Sequence, residues 1–258
     1  MADRAQSWQP APMDLTGRTA LVTGASSGIG RATAIALARR GVDVKATGRD
    51  IASLEALRKD CAAEVLAADL SRADEADRVA HWAGPVDVLV NNAGFGWAGR
   101  LSEMDVSQTE ELIRVNLAAP IRLAALLVPG MVERGVGHLV NVSSIAGHVG
   151  VRFEAVYSAT KAGLLAFSES LRYELAGSGV WVTVVSPGAV RTAFFQREGR
   201  AYERTFPRPV RAERVADALI RAIEQNRPQV FVPRWMAFPA WLRGAWPGLY
   251  RRLASRFG

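Results

Sequence analysis

Short apolar runs alternate along the chain with longer stretches in which apolar residues recur every three or four positions. The runs are RTALVTG (18–24), VDVKATG (42–48), AEVLAAD (63–69), VDVLVNNAG (86–94), GHLVNVSS (137–144), VWVTVVSPG (180–188) and PQVFVP (228–233). They are rich in valine and almost continuously apolar, as strands buried on both faces must be. Helical spacing marks 30–40, 51–60, 105–128, 157–175 and 210–225. Strand and helix in strict alternation imply right-handed crossovers and a parallel sheet. The expectation is α/β: a single doubly wound Rossmann-type domain over 1–258, with a seven-stranded mainly parallel sheet and helices on both faces. Its core spans about 15–195, a loop at about 192–212 forms a lid, and a basic aromatic segment covers about 225–258.

Such folds place their chemistry at the carboxyl ends of the strands. The first run leads into Thr23-Gly24-Ala25-Ser26-Ser27-Gly28-Ile29-Gly30, where a helix starts. Gly24 suits a tight turn, Gly28 lets backbone approach a pyrophosphate, and Gly30 lets the helix pack on the strand. Free N–H groups and the positive end of the helix dipole then face phosphate. The second run ends in Thr47-Gly48-Arg49-Asp50 rather than in a carboxylate. A guanidinium there suits a 2′-phosphate, which favours NADP over NAD. The bland reading is a solvated Arg49 partly cancelled by Asp50.

Composition narrows the field. The chain has 258 residues and one cysteine, Cys61, so no internal disulfide can form. That fits a cytoplasmic, reducing setting. The amino terminus has no signal-peptide pattern, and no uninterrupted apolar run of membrane-spanning length is evident. His81, His138 and His148 are scattered, so no metal site is expected. The net charge of +7 is carried by the far end, with 13 Arg against 5 Asp or Glu from Arg197 onward and no acid after Glu224. No nucleic-acid-binding motif accompanies this charge.

Thr23–Gly30, Asn91-Asn92-Ala93-Gly94, Ser144, Tyr157 with Lys161 four residues on, and Pro187-Gly188 together resemble the classical short-chain dehydrogenase/reductase family in order and spacing. The resemblance covers about 15–195. It implies a catalytic set of Asn116, Ser144, Tyr157 and Lys161. Tyr157 would be the general acid in reduction and the base in oxidation, with Ser144 orienting the substrate oxygen. A phenol alone is poorly matched to neutral pH. An ammonium about 5 Å away, at an effective dielectric of about 20, favours its phenolate by roughly 3 kcal/mol. Ser143 is the adjacent candidate to Ser144. Asn116 is implied to hold a water linking Lys161 to solvent. Pro120, four residues later, lacks the N–H that would bond the Asn116 carbonyl and predicts a kinked helix there.

The same resemblance implies cofactor contacts from Gly24, Ser26, Ser27, Gly28, Ile29, Gly30, Arg49, Asp69, Leu70, Asn92, Ala93, Gly94, Tyr157, Lys161, Pro187, Gly188, Val190 and Thr192. Ser27 stands where NADP enzymes of this type often carry a second basic residue. Asn91 reads better as a tie between strands. Helices 105–128 and 157–175 are implied to pair into a homodimer or homotetramer.

Loops over the strand ends set substrate choice. Here they carry Phe95, Trp97, His148, Phe153, Phe194, Phe195, Tyr202 and Phe206. Ser144, His148, Phe153, Phe194 and Phe195 are the expected substrate contacts, and the lining suits a lipophilic carbonyl or alcohol. The leading expectation is an NADP(H)-dependent ketone reductase. The alternatives are an NAD-linked alcohol dehydrogenase and a non-catalytic dinucleotide sensor. In 225–258, Leu242, Trp246, Leu249, Tyr250 and Leu253 predict an apolar helical face interrupted at Pro247, with six Arg in the segment. It suits an anionic membrane surface, a partner subunit or the active site.

Overall fold

Seven parallel strands form the central sheet: β1 (Thr19–Thr23), β2 (Asp43–Gly48), β3 (Glu64–Ala67), β4 (Val88–Asn91), β5 (Gly137–Val142), β6 (Val180–Pro187) and β9 (Gln229–Val232). Their order is β3-β2-β1-β4-β5-β6-β9. A further pair, β7 (Val190–Arg191) with β8 (Val210–Arg211), was not anticipated. The structure, a computed structural model, describes residues 12–192, 194 and 207–257. Phe195, Tyr202, Phe206 and most of the expected lid therefore lie outside the described residues.

The central strands β1, β4 and β5 each feed two cores. Ala20 and Val22, Val88 and Val90, and Val140 and Val142 face the layer of α1 (Gly28–Ala38) and α8 (Ala212–Glu224). Leu21, Leu89 and Leu139 face the opposite layer, with α3 (Glu75–Ala83) and α5 (Ala119–Arg134). The period of two along a strand turns a continuous apolar run into two buried faces. Each of these leucines is fully buried, which is worth about 2 kcal/mol apiece. The remaining helices are α2 (Ile51–Cys61), α4 (Val106–Ile113), α6 (Ile145–His148), α7 (Ala155–Glu174), α9 (Ala237–Ala245) and α10 (Pro247–Phe257).

The helix expected over 105–128 is two helices. Between α4 and α5 the chain widens into a π-turn, Arg114–Ala118, and Pro120 sits in the first turn of α5. The backbone stays helical on both sides, and the widened turn accommodates a proline, which has no N–H to give. The span Val106–Arg134 is apolar and long enough to cross a membrane by length and composition alone. Here its Leu112, Leu123 and Met131 are fully buried against neighbouring elements.

The order reverses between β1 and β4, and a buried hydroxyl stitches that switch point. Thr23 Oγ1 accepts from the N–H of Asn92 and of Ala93, each at 3.0 Å, and donates to the Val90 carbonyl at 3.3 Å. Thr23→Val strands these groups and is expected to cost about 3 kcal/mol, read as a lower urea midpoint at unchanged slope.

Candidate active site

The strand ends open into one cavity of about 770 Å³, within the usual size of a small-molecule site. Its floor at one end is the β1–α1 turn. Gly24 has φ +67°, and a Cβ there would lie 2.8 Å from the Ala93 Cα. Gly28 has φ +56°, and its Cβ would lie 2.9 Å from Thr192 Cγ2. Both side chains would fill the cradle, and only glycine adopts that backbone without strain. Ser26, Ser27 and Ile29 line the cavity beside them. Gly30 does not line it. Its bare Cα sits against Asn92 Nδ2 and the Gly24 carbonyl, where a Cβ would come within 2.4 Å of each. Its part is to seat α1 under the turn.

Arg49, Asp69 and Leu70 line the same end. Asp50 does not oppose Arg49. Its carboxylate caps α2, accepting from the Ser53 N–H at 3.2 Å and the Ser53 hydroxyl at 2.6 Å. Arg49 is exposed and has no ion pair or hydrogen bond among the described residues. Asn92, Ala93 and Gly94 continue the wall. The Asn92 amide also donates to the Thr23 carbonyl at 2.9 Å, so it braces the turn as well. Asn91 is a pure tie, donating to Asn141 Oδ1 at 2.9 Å and the Pro120 carbonyl at 3.2 Å.

At the other end Ser144, Tyr157 and Lys161 share the cavity wall with Pro187, Gly188, Val190 and Thr192. Tyr157 and Lys161 project from one side of α7, a helical turn apart, and the Lys161 Nζ lies 5.8 Å from the Tyr157 ring centre. Both are buried. Lys161 donates to the Val142 carbonyl at 2.9 Å. Burial holds its ammonium down at about 8. Gly94 is needed here, since a Cβ would meet Asn116 Oδ1 at 2.9 Å and the Lys161 Nζ at 3.4 Å.

The two serines divide as strand alternation requires. The Ser143 hydroxyl donates to the Lys161 carbonyl at 3.0 Å. Ser144 caps α6, its hydroxyl oxygen accepting from the Ala146 N–H at 3.1 Å. Asn116 stands behind the wall, fully buried in the π-turn. Its amide clamps Phe95, accepting from that N–H at 3.0 Å and donating to that carbonyl at 2.8 Å. The side chain thus fixes the loop after β4 over Lys161.

Of the expected substrate contacts, Phe153 and Phe194 line the cavity, and Phe194 packs 5.8 Å from the Tyr157 ring. Phe195 lies outside the described residues. The expectation for His148 is corrected: it is absent from the lining. Its Nε2 lies 2.9 Å from Ser186 Oγ, and its ring packs 4.8 Å from Phe231. The reason is Gly147, whose Cα is pressed on the Lys161 carbonyl, where a Cβ would come within 2.8 Å. With the chain packed there, the imidazole is held between Ser186 of β6 and Phe231 of β9. Trp97 is also off the cavity, folded over Gly99 in a small cluster with Leu112 and Ala146. Met236, which the sequence did not single out, does line it and rests on Gly188.

The comparisons agree with this geometry. The family profile described as short chain dehydrogenase matches residues 18–203. A relative from Nostoc sp., "Ketoacyl reductase HetN", is 35% identical over 230 residues, covering 84% of this chain and 79% of that protein. The structure of a short-chain dehydrogenase from Sphingobium yanoikuyae in complex with NADPH superposes with a TM-score of 0.78 at 33% identity, covering 90% of this chain and 95% of that one. A short-chain dehydrogenase/reductase from Burkholderia phymatum in complex with NAD gives 0.81 at 25% identity, covering 90% and 94%. Sequence profile, relatives and fold converge, and this chain belongs to the short-chain dehydrogenase/reductase family of oxidoreductases.

Proposed function

We propose that the protein is an NADPH-dependent reductase of lipophilic ketones. The observation that carries this is one continuous cavity, with a glycine cradle and an Arg49 unpaired among the described residues at one end and Ser144, Tyr157 and Lys161 at the other. The cradle residues fit a dinucleotide pyrophosphate, and Gly188 and Val190 fit its nicotinamide end. The bound cofactor supplies a hydride equivalent to the carbonyl carbon. The chain handles the proton. Ser144 donates a hydrogen bond to the carbonyl oxygen and fixes its place. Tyr157 gives that oxygen its proton. The buried Lys161 ammonium stabilises the phenolate left behind. Phe153, Phe194 and Met236 give the substrate end an apolar wall.

Arg49 decides the cofactor. No carboxylate stands at the tip of β2 to meet a 2′-hydroxyl, and Asp50 is engaged elsewhere. Arg49→Ala is expected to weaken NADPH binding about 30-fold, the loss of one charge-assisted contact, and to leave NADH binding unchanged. Titrating both cofactors into wild type and variant checks this. Equal affinities in the wild type would favour the NAD-linked alternative, for which Ser27 in place of a second basic residue speaks. Turnover of a panel of bulky ketones tests the substrate class.

We also propose a homo-oligomer paired through α4, α5 and α7, whose outer faces expose Ile113, Leu126 and Tyr173. Light scattering measures the assembly.

A further inference from the structure

Six of the fourteen large apolar side chains exposed among the described residues fall between 235 and 253: Trp235, Phe238, Trp241, Trp246, Leu249 and Leu253. Such crowding on an outer face is unusual for a soluble surface. Three of them form one contiguous patch. Phe238 stacks on Trp241 at 6.1 Å, and Trp241 meets Trp246 edge-on at 5.5 Å, which joins α9 to the start of α10. The pair is held to the body by Met236 and the buried Leu242, and by Arg243, which donates to the His148 carbonyl. This corrects the expected single face: Leu242 turns inward while its neighbours turn out.

The segment that carries the patch has positive charge alone. Arg234, Arg243, Arg251 and Arg252 are all exposed, and no Asp or Glu follows Glu224. On α10 the angular step of a helix puts Arg252 beside the Leu249–Leu253 stripe and Arg251 on the opposite side of the helix, where it lines a groove with His148 and Arg243. Arg234 and Arg251 have no ion pair or hydrogen bond among the described residues. A second copy docking by two-fold symmetry would bury this surface against its own copy, and the segment that carries it offers those arginines no acid to pair with. A flat anionic surface with an apolar interior satisfies both halves of the patch. Tryptophan and phenylalanine settle at the headgroup boundary while arginines meet lipid phosphate.

We propose that α9 and α10 form an interfacial anchor that seats the protein on an anionic lipid bilayer. The same turn that starts the anchor contributes Met236 to the catalytic cavity, so anchor and cavity share a wall. This goes beyond the proposed redox chemistry and does not depend on it.

Flotation of the full chain with vesicles of phosphatidylcholine containing one-third phosphatidylglycerol tests the idea. At low salt the protein is expected to float with these vesicles and to stay soluble with phosphatidylcholine alone. Arg234→Gln with Arg252→Gln is expected to weaken vesicle binding about 25-fold, at roughly fivefold per arginine. Bromine-labelled acyl chains are expected to quench tryptophan fluorescence of the wild-type protein, a readout independent of how any variant folds. The proposal is overturned if the protein stays soluble at low salt with anionic vesicles. Equal flotation on neutral vesicles overturns it too. So does a fall in mass by light scattering for Phe238→Ser with Trp241→Ser, which would make the patch a subunit interface.

Discussion

Replacing Tyr157 with phenylalanine is expected to lower kcat for ketone reduction about 1,000-fold, within the range that a positioned general acid contributes. Cofactor affinity and thermal midpoint should barely move. The reason is geometric. The Tyr157 ring is buried and packs with Leu112, Ala146 and Phe194. Phenylalanine keeps those contacts and removes one oxygen. What disappears is the proton donor that shares a cavity with Ser144 and lies beside the Lys161 ammonium. Single-turnover rates of bound cofactor oxidation, wild type against variant, measure the chemical step free of product release. Equal rates would remove Tyr157 from the chemistry and leave Ser144 or a water as the donor.

That prediction rests on residues visible in the sequence, and it is useful to ask why they were visible. The seven strands were legible because burial on both faces forces near-continuous apolar runs such as Val88–Asn91. The cradle was legible because Gly24 and Gly28 occupy backbone that other residues avoid. Tyr157 and Lys161 were legible because a helix converts a spacing of four into a shared face. What failed depends on contacts between distant segments. Nothing near His148 says that Ser186 and Phe231, from β6 and β9, will hold its imidazole away from the cavity. Met236 reaches the cavity only because β9 is the sheet edge next to β6, so that the turn after it lands on Gly188. Pro120 correctly signalled a break in the helix, but not its form. The π-turn follows from a tertiary demand: Asn116 must face Phe95 while Asn91 takes the Pro120 carbonyl.

Lys161 tests whether the site is built at the expense of stability. Burial lowers its ammonium from 10.5 to about 8. The unfolded chain therefore keeps this proton up to about pH 10.5, and the folded chain only up to about 8. Between those values the unfolded state binds more protons, so stability rises with pH there. Below pH 8 the fold carries the whole cost of the buried charge, about 3 kcal/mol at 1.36 kcal/mol per pH unit. Lys161→Met removes the charge and leaves the Val142 carbonyl without its donor, a loss of about 1–2 kcal/mol. The variant is thus expected to be more stable than wild type by roughly 1–2 kcal/mol near neutral pH. That advantage should vanish as pH rises through the interval from 8 to 10.5. Its kcat should fall about 100-fold, the worth of a charge near 5 Å at an effective dielectric of about 20. In wild type the reduction rate should decline as pH passes about 8 and the ammonium is lost, and in the variant that limb should be missing. Denaturant titrations and pH–rate profiles on the same two proteins read both effects. A variant that is less stable at neutral pH, or that keeps the wild-type alkaline limb, would show that Lys161 is neither a strained charge nor the group that supports the phenolate.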